Sequence, residues 1–144
     1  MPCADHKLGR VTERETEMLP PRRDGTTILL AEDDELMRTL TREMLEEHGY
    51  KVMTAEDGKS ALRLMASDHA KVDLTLTDVV MRGMSGPELV LHLLESYPAM
   101  KVVYMSGYTG ELLADHEALN TGITLLEKPF TRAALLQTLH AALG

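Results

Sequence analysis

Five short apolar runs recur along the chain at near-even intervals. They begin near Thr27, Lys51, Asp73, Lys101 and Ile123, and successive starts lie 22 to 28 residues apart. An interval of this length accommodates one strand and one helix. Several runs are apolar almost throughout, which is typical of strands buried on both faces of a parallel sheet. The pattern predicts a three-layer, doubly wound α/β domain.

Length and charge limit the classes of function. The chain has 144 residues, which is enough for one domain with a sizeable core. Its formal net charge of −8 argues against nucleic acid as a partner, because a phosphate backbone would be repelled. The single cysteine, Cys3, excludes an intramolecular disulfide. Neither a membrane-spanning apolar stretch nor a signal-peptide pattern is present, so we expect a cytoplasmic protein without membrane contact.

The first part of the chain differs from the rest in composition. Residues 1–25 contain five basic and five acidic residues and end in the sequence Pro20-Pro21-Arg22-Arg23-Asp24-Gly25. We interpret residues 1–25 as a flexible N-terminal tail or linker, with a short amphipathic helix as the less favoured alternative. Residues 26–144 are then the folded domain.

Apolar positions at helical spacing predict a helix after each of the five strands. Asp34 is placed to cap the first helix, and Gly49 ends its pattern. The sequence Ser85-Gly86-Pro87-Glu88 predicts a capping box at the start of the third helix. The segment from Glu111 to Asn120, the fourth predicted helix, has the weakest pattern of the five.

Acidic, hydroxyl and basic side chains follow four of the five runs. Glu32 and Asp33 come after the first run, Asp78 ends the third, Ser106 ends the fourth and Lys128 ends the fifth. The carboxyl ends of parallel strands meet at one edge of a sheet, where open sheets bind their ligands. We therefore expect these side chains to lie close together.

These residue types suit metal binding and phosphoryl transfer. Carboxylates gathered at one edge repel each other, and Mg²⁺ or Mn²⁺ held by Glu32, Asp33 and Asp78 would relieve that repulsion. A carboxylate can also attack phosphorus to form an aspartyl phosphate, and Asp78 is the best candidate because Leu74-Thr75-Leu76-Thr77 would hold it rigidly at the sheet edge. Ser106 and Lys128 would supply the hydroxyl and the cation that phosphoryl oxygens need.

Four ordered motifs make residues 26–144 resemble the receiver domain of two-component response regulators. They are Ile28-Leu29-Leu30-Ala31-Glu32-Asp33-Asp34, Asp78-Val79-Val80-Met81-Arg82-Gly83-Met84-Ser85-Gly86, Met105-Ser106-Gly107-Tyr108 and Glu127-Lys128-Pro129-Phe130. The residues of the third motif, together with Gly86-Pro87-Glu88-Leu89, are particularly similar to those of receiver domains at the C-terminus of hybrid sensor histidine kinases.

The resemblance implies a flavodoxin-like (βα)5 fold with a five-stranded parallel sheet of order 2-1-3-4-5. It implies that a histidine kinase or histidine phosphotransfer protein phosphorylates Asp78. Glu32 and Asp33 match the acidic pair that binds the metal with Asp78, and the main-chain carbonyl of Val80 matches a further ligand. The domain would then be a phosphoacceptor and switch, not an enzyme with a turnover substrate.

The resemblance also implies how such a domain signals. Ser106 matches the switch hydroxyl, and Lys128 matches the lysine that contacts the phosphate and is joined to Pro129 by a cis bond. Phosphorylation would change a partner-binding face made by the fourth helix, fifth strand and fifth helix, which is also a candidate face for homodimerisation.

This chain departs from the family pattern at three positions. Glu32 stands in place of aspartate, which is a common variation, and we expect it still to serve the metal through water. Arg82 stands where proline is usual after Met81, so that it either loosens the loop behind Asp78 or offers a surface cation. Leu125 stands where the family has its aromatic switch residue. Tyr108, two residues after Ser106, is positioned to take over part of the role of that aromatic residue.

Three alternatives remain beside this interpretation. A phosphatase of the haloacid dehalogenase type also forms an aspartyl phosphate, but its nucleophile normally opens an Asp-x-Asp motif after the first strand, which Glu32-Asp33-Asp34 does not fit. A flavin carrier needs a glycine- and hydroxyl-rich loop at that place, where three acids would repel phosphate. The third alternative is a receiver-like scaffold that is not phosphorylated.

Overall fold

The computed structural model describes residues 19–68, 71–107 and 124–144, and these contain five strands and four helices. In chain order they are β1 (Thr27–Ala31), α1 (Glu35–Glu47), β2 (Lys51–Ala55), α2 (Gly58–Asp68), β3 (Leu74–Asp78), α3 (Gly86–Ser96), β4 (Lys101–Ser106), β5 (Thr124–Glu127) and α4 (Arg132–Leu143). Each predicted strand is confirmed, with its start within one residue of the predicted one. The fourth predicted helix lies outside the described residues, so α4 is the fifth predicted helix.

The five strands form one parallel sheet in the order β2-β1-β3-β4-β5. This confirms the predicted order and the flavodoxin-like, doubly wound α/β class. Leu30 shows the register at the centre of the sheet, since it pairs with Thr54 of β2 on one side and Leu76 of β3 on the other. The order makes β1 and β3 neighbours, and it places β4 between β3 and β5.

Alternate residues of the strands build two cores, one on each face of the sheet. Ile28 and Leu30 of β1 are fully buried in the core that α1 and α4 cover, to which Leu45 and Leu136 contribute. The neighbouring β1 residues enter the opposite core, which α2 and α3 cover. Because both faces of the sheet are covered, polar groups of the strands reach solvent mainly at the strand ends. Among the described helices, none is both long and apolar enough to cross a bilayer.

Side-chain caps start the helices close to the carboxyl edge of the sheet. Asp34 accepts a hydrogen bond from the main-chain N–H of Met37 at 2.9 Å, as predicted for the first helix. Ser85 accepts from the N–H of Glu88 at 3.3 Å and its hydroxyl donates to the Glu88 carboxylate at 3.2 Å, which confirms the capping box. Because β1 ends at Ala31 and Asp34 caps α1, only Glu32 and Asp33 lie between the strand and the cap.

Residues 19–24, which we call the N-terminal strap, contact the C-terminal ends of α1 and α4. The guanidinium of Arg23 donates to the main-chain oxygen of Gly144 at 2.7 Å and to Nδ1 of His140 at 3.3 Å. The main-chain N–H of Arg23 donates to the oxygen of His48 at 3.1 Å, and Leu19 packs against the core under α1 and α4. Residues 1–18 lie outside the described residues, and the predicted boundary at residue 26 stays a prediction.

Candidate functional site

The predicted site residues lie at the carboxyl edge of the sheet. Asp78 is the last residue of β3 and pairs with Met105, so Ser106 lies one residue further along β4. Ser106 in turn pairs with Glu127 of β5, the residue before Lys128. The main-chain N–H of Lys128 donates to the oxygen of Ser106 at 2.8 Å and continues this pairing beyond the sheet.

Lys128 joins two acidic side chains of the site. Its Nζ lies 2.6 Å from Oε2 of Glu32 and 2.9 Å from Oδ2 of Asp78. The Lys128 side chain is only 20% exposed and that of Asp78 13%, so both charges lie in a partly desolvated environment. Hydrogen bonds between charged groups are stronger there than in bulk water. The bond between Lys128 and Pro129 is cis, as the resemblance implied.

Burial dominates the electrostatics of Glu32. Its side chain is 1% exposed, and this desolvation raises the pKa of its carboxyl, with a further upward contribution from the Asp78 charge. Hydrogen bonds from Lys128 and from the main-chain N–H of Asp34 act in the opposite direction but are smaller. Burial also lowers the pKa of Lys128, but its contacts with Glu32 and Asp78 outweigh that effect and leave its pKa raised.

The acidic cluster has the donor set that a hard divalent cation requires. One carboxylate oxygen each from Glu32, Asp33 and Asp78 lies within 4.8 Å of the other two. Three oxygens at such separations match the few carboxylate ligands with which Mg²⁺ is usually bound. Asp33 is the most exposed of the three, with a side chain that is 25% exposed, and Nε of Arg82 lies 4.0 Å from its Oδ2.

Two main-chain hydrogen bonds of Val79 hold the start of the loop that follows Asp78. The N–H of Val79 donates to the oxygen of Met105 at 3.0 Å, and the oxygen of Val79 accepts from the N–H of Gly86 at 2.9 Å. A Cβ at Gly86 would overlap the main-chain oxygen of Asp78, so only glycine permits this approach. The side chain of Val80 is exposed and apolar. Its main-chain carbonyl is therefore the group that can serve as a metal ligand.

Ser106 and Leu125 lie on the two paired strands β4 and β5. Ser106 is buried, next to the register partner of Asp78. Leu125 pairs with Tyr104 of β4 and packs against a small apolar cluster with Val79. Burial raises the pKa of Tyr104 to about 12, so its phenol is neutral at physiological pH. Tyr108, the residue expected to share the aromatic role, lies outside the described residues.

Two site contacts were not predicted from the sequence. Arg38 donates from Nη1 to the main-chain oxygen of Glu32 at 2.8 Å, which ties the first turn of α1 to the acidic pair. Gly86 packs directly on the backbone of Asp78, as described above. The glycine at the start of α3 was noted only as part of a capping box, and nothing in the spacing of Arg38 distinguishes it from an ordinary solvent-facing helix residue.

The model of the response regulator receiver domain family matches residues 28–140 of the chain. The chain belongs to this family. It is a receiver domain of the two-component type, homologous to phosphoacceptor receiver domains. Receiver domains of this family generally bind Mg²⁺ at an acidic cluster, and Glu32, Asp33 and Asp78 form a cluster of that composition.

Two curated relatives illustrate the range of proteins that contain a similar receiver domain. Sensor kinase CckA of Brucella abortus (strain 2308) is 31% identical over 140 residues, which are 97% of this chain and 15% of that protein. The response regulator receiver protein CpdR of the same strain is 35% identical over 103 residues, which are 72% of this chain and 84% of that protein. The chain also spans only 45% of the transcriptional regulatory protein YrkP of Bacillus subtilis (strain 168).

Solved structures give the same assignment. The receiver domain from the hybrid histidine kinase CckA is similar with a TM-score of 0.69 at 30% identity, covering 82% of this chain and 99% of that chain. The chemotaxis protein CheY4 of Vibrio cholerae gives a TM-score of 0.72 at 28% identity, covering 81% and 98%. The similarity to CckA in sequence and in structure confirms that this receiver domain resembles those of hybrid sensor histidine kinases.

Proposed function

We propose that Asp78 is the phosphoacceptor of this receiver domain and takes a phosphoryl group from a histidine kinase or a histidine phosphotransfer protein. The observation that carries the proposal is the contact of the Lys128 ammonium with the Asp78 carboxylate, inside an acidic cluster at the carboxyl edge of the sheet. In that position one carboxylate has both a nearby cation and a donor set for a metal.

Glu32, Asp33 and Asp78, with the main-chain carbonyl of Val80, are the groups that would hold Mg²⁺ or Mn²⁺. The bound cation would neutralise charge on the phosphoryl oxygens during transfer. The main-chain bonds of Val79 support this assignment because they keep the backbone around Val80 in place.

The residues of the chain supply the remaining chemistry. A carboxylate oxygen of Asp78 forms a bond to phosphorus while the bond from phosphorus to the donor imidazole nitrogen breaks, which leaves an acyl phosphate on Asp78. Lys128 already contacts Asp78 and provides a positive charge for a phosphoryl oxygen without a long movement. Ser106, at the next position along the same sheet edge, donates its hydroxyl to another oxygen.

Phosphorylation adds about −1.5 to −2 charges to a site that already contains three carboxylates. The proposed partner-binding face consists of the fourth predicted helix, β5 and α4. Ser106 ends β4 and Lys128 follows β5, so movement of these two side chains toward the phosphoryl group would alter β5 and α4 first. The domain therefore acts as a switch that binds a partner, with homodimerisation through this face as one form of output and no turnover substrate. A cytoplasmic location is part of this proposal.

The test is incubation of the purified chain with a small acyl phosphate and Mg²⁺, followed by intact-mass measurement. We expect a mass increase of one phosphoryl group for the wild type and for Asp57→Asn, an aspartate outside the site, and none for Asp78→Asn. A phosphoryl group retained by Asp78→Asn would overturn the assignment. Continuous release of phosphate from a phosphomonoester would instead identify a phosphatase.

A further inference from the structure

Arg82, which stands where proline is usual in the family, lies beside the acidic cluster. Arg82 follows Met81 in the loop between β3 and α3, and its Nε lies 4.0 Å from Oδ2 of Asp33. The Arg82 side chain is 86% exposed, so the guanidinium lies at the open side of the acidic cluster. It faces the carboxylate of the cluster that is itself most open to solvent.

The charges of the cluster are divided between two cations. Lys128 contacts Glu32 and Asp78, both of which are largely buried. In the described part of the chain, Arg82 is the cation that forms an ion pair with the third carboxylate, Asp33. Each carboxylate of the proposed metal site thus has a positively charged neighbour before any metal binds.

The two cations differ in how readily they can leave. Lys128 makes short hydrogen bonds in a partly desolvated site, whereas an exposed pair at 4.0 Å gains little free energy over separated, hydrated ions. The Arg82 side chain can therefore move into solvent at small cost. A cation that binds Asp33 would have to replace it or tolerate its charge nearby.

We propose that Arg82 is an exchangeable counter-ion of Asp33, which competes with the divalent cation and lowers the metal affinity of the site. The inference rests on the proposed function, since it assumes that Asp33 is a metal ligand. A proline at this position, as is usual in the family, carries no such charge. Arg82 is a residue that tunes affinity and is not a catalytic group.

The free energy of the exposed pair limits the size of the effect, because Arg82 can move into solvent when the metal binds. Removal of its charge therefore raises the affinity for the divalent ion by about two- to fivefold at low salt. Because the Debye length is roughly 10 Å at 0.1 M ionic strength, added monovalent salt reduces the difference.

The experiment is a titration with Mn²⁺, in which the electron paramagnetic resonance signal of the free ion reports binding, followed by displacement with Mg²⁺. We expect tighter binding to Arg82→Ala than to the wild type, and near wild-type affinity for Arg82→Lys, which keeps the charge. Arg132→Ala is the matched control, because Arg132 is also exposed but pairs with Glu47. In an Asp33→Asn background, Arg82→Ala should change the affinity less than twofold.

The outcomes separate this inference from the proposed function. If the wild type binds the metal and Arg82→Ala binds it with the same affinity, the inference is wrong and the metal site remains. If Arg132→Ala tightens binding as much as Arg82→Ala, the effect belongs to net charge and the inference is also wrong. If folded wild type and Arg82→Ala bind no metal at all, both the inference and the proposed metal site are overturned.

Discussion

The ammonium of Lys128 and the carboxylate of Asp78, 50 residues apart in the chain, lie 2.9 Å from each other at the carboxyl edge of the sheet. The same ammonium lies 2.6 Å from Glu32, which is 96 residues away. One lysine at the end of β5 therefore holds together acidic residues from the ends of β1 and β3. Its removal would leave two neighbouring, poorly solvated carboxylates without this cation.

We expect Lys128→Ala to lower the free energy of unfolding by about 1 to 3 kcal/mol in metal-free buffer at neutral pH. This loss is smaller than the loss expected when one partner of a fully buried ion pair is removed, because solvent reaches part of the site. Since the pKa of Lys128 is raised above 10.5, its stabilising contribution is fully present at neutral pH and is lost only as the pH rises through that raised pKa. Urea unfolding measures the difference.

The control for this variant is Lys59→Ala, which removes an exposed lysine from α2. Millimolar Mg²⁺ should restore part of the stability of Lys128→Ala, because the proposed metal would supply the missing positive charge. Equal stabilities of the wild type and Lys128→Ala in metal-free buffer would contradict the electrostatic role of this contact.

The strand ends were predictable because their chemistry is local. The apolar run of β1 and the alternating leucine and threonine residues of β3 locate these two strands, and the carboxylates that follow or end them must lie at the sheet edge. The position of Asp78 beside Glu32 then depends only on strand order. The contact of Arg82 with Asp33 was not predictable in the same way, because the direction of a long loop side chain depends on the tertiary packing of the loop.

The N-terminal strap shows a second limit of sequence interpretation. Its two prolines and mixed charges are typical of a linker, and only the three-dimensional arrangement reveals that Arg23 lies beside the end of α4. Hydrogen bonds to main-chain oxygens at helix ends leave no pattern in the sequence. The sequence therefore predicts secondary structure and strand ends better than contacts between the chain termini.

Gly86→Ala tests how closely α3 approaches the phosphoacceptor strand. The added Cβ would overlap the main-chain oxygen of Asp78, so the start of α3 must shift away from β3. We expect a loss of at least about 2 kcal/mol in unfolding free energy, as for overpacking of a rigid backbone contact, together with slower phosphorylation. Gly107→Ala, where the Cβ would meet open space, should cost far less. Similar stabilities of the two variants would contradict the contact.

The capping of α2 by Asp57 predicts a pH-dependent contribution to stability. Asp57 accepts a hydrogen bond from the main-chain N–H of Ser60 at 2.7 Å, and this bond, with the Ser60 hydroxyl, holds the pKa of Asp57 below 3.8. A lowered pKa means stability that is present above 3.8 and lost as the pH falls through the folded-state value. We expect Asp57→Ala to cost about 1 kcal/mol at pH 7.

Unfolding measured from pH 7 down to pH 3 checks this prediction. The difference between the wild type and Asp57→Ala should shrink as the pH falls below 3.8. Asp57→Asn keeps an acceptor without a titrating group, so its difference from Asp57→Ala should stay constant over the same range. A gap between the wild type and Asp57→Ala that does not change with pH would argue against an ionised cap.

Two truncated chains test whether the N-terminal strap belongs to the folded domain. A chain that starts at Leu19 retains every strap contact, whereas one that starts at Gly25 loses the Arg23 hydrogen bonds and the packing of Leu19. The first is the reference for the second, because the two differ only in residues 19–24. The second should lose about 1 to 3 kcal/mol, from partial burial of one leucine and a few hydrogen bonds.

Arg23→Ala in the full chain separates the guanidinium contacts from the rest of the strap. It removes the bonds to Gly144 and His140 but keeps the main-chain bond to His48, so about 1 kcal/mol should be lost. Lys101→Ala, at the exposed start of β4, is the control for loss of a surface cation. If the chain that starts at Gly25 is as stable as the full chain, the domain begins at residue 26 as the sequence predicts, and the strap contributes nothing to its folding.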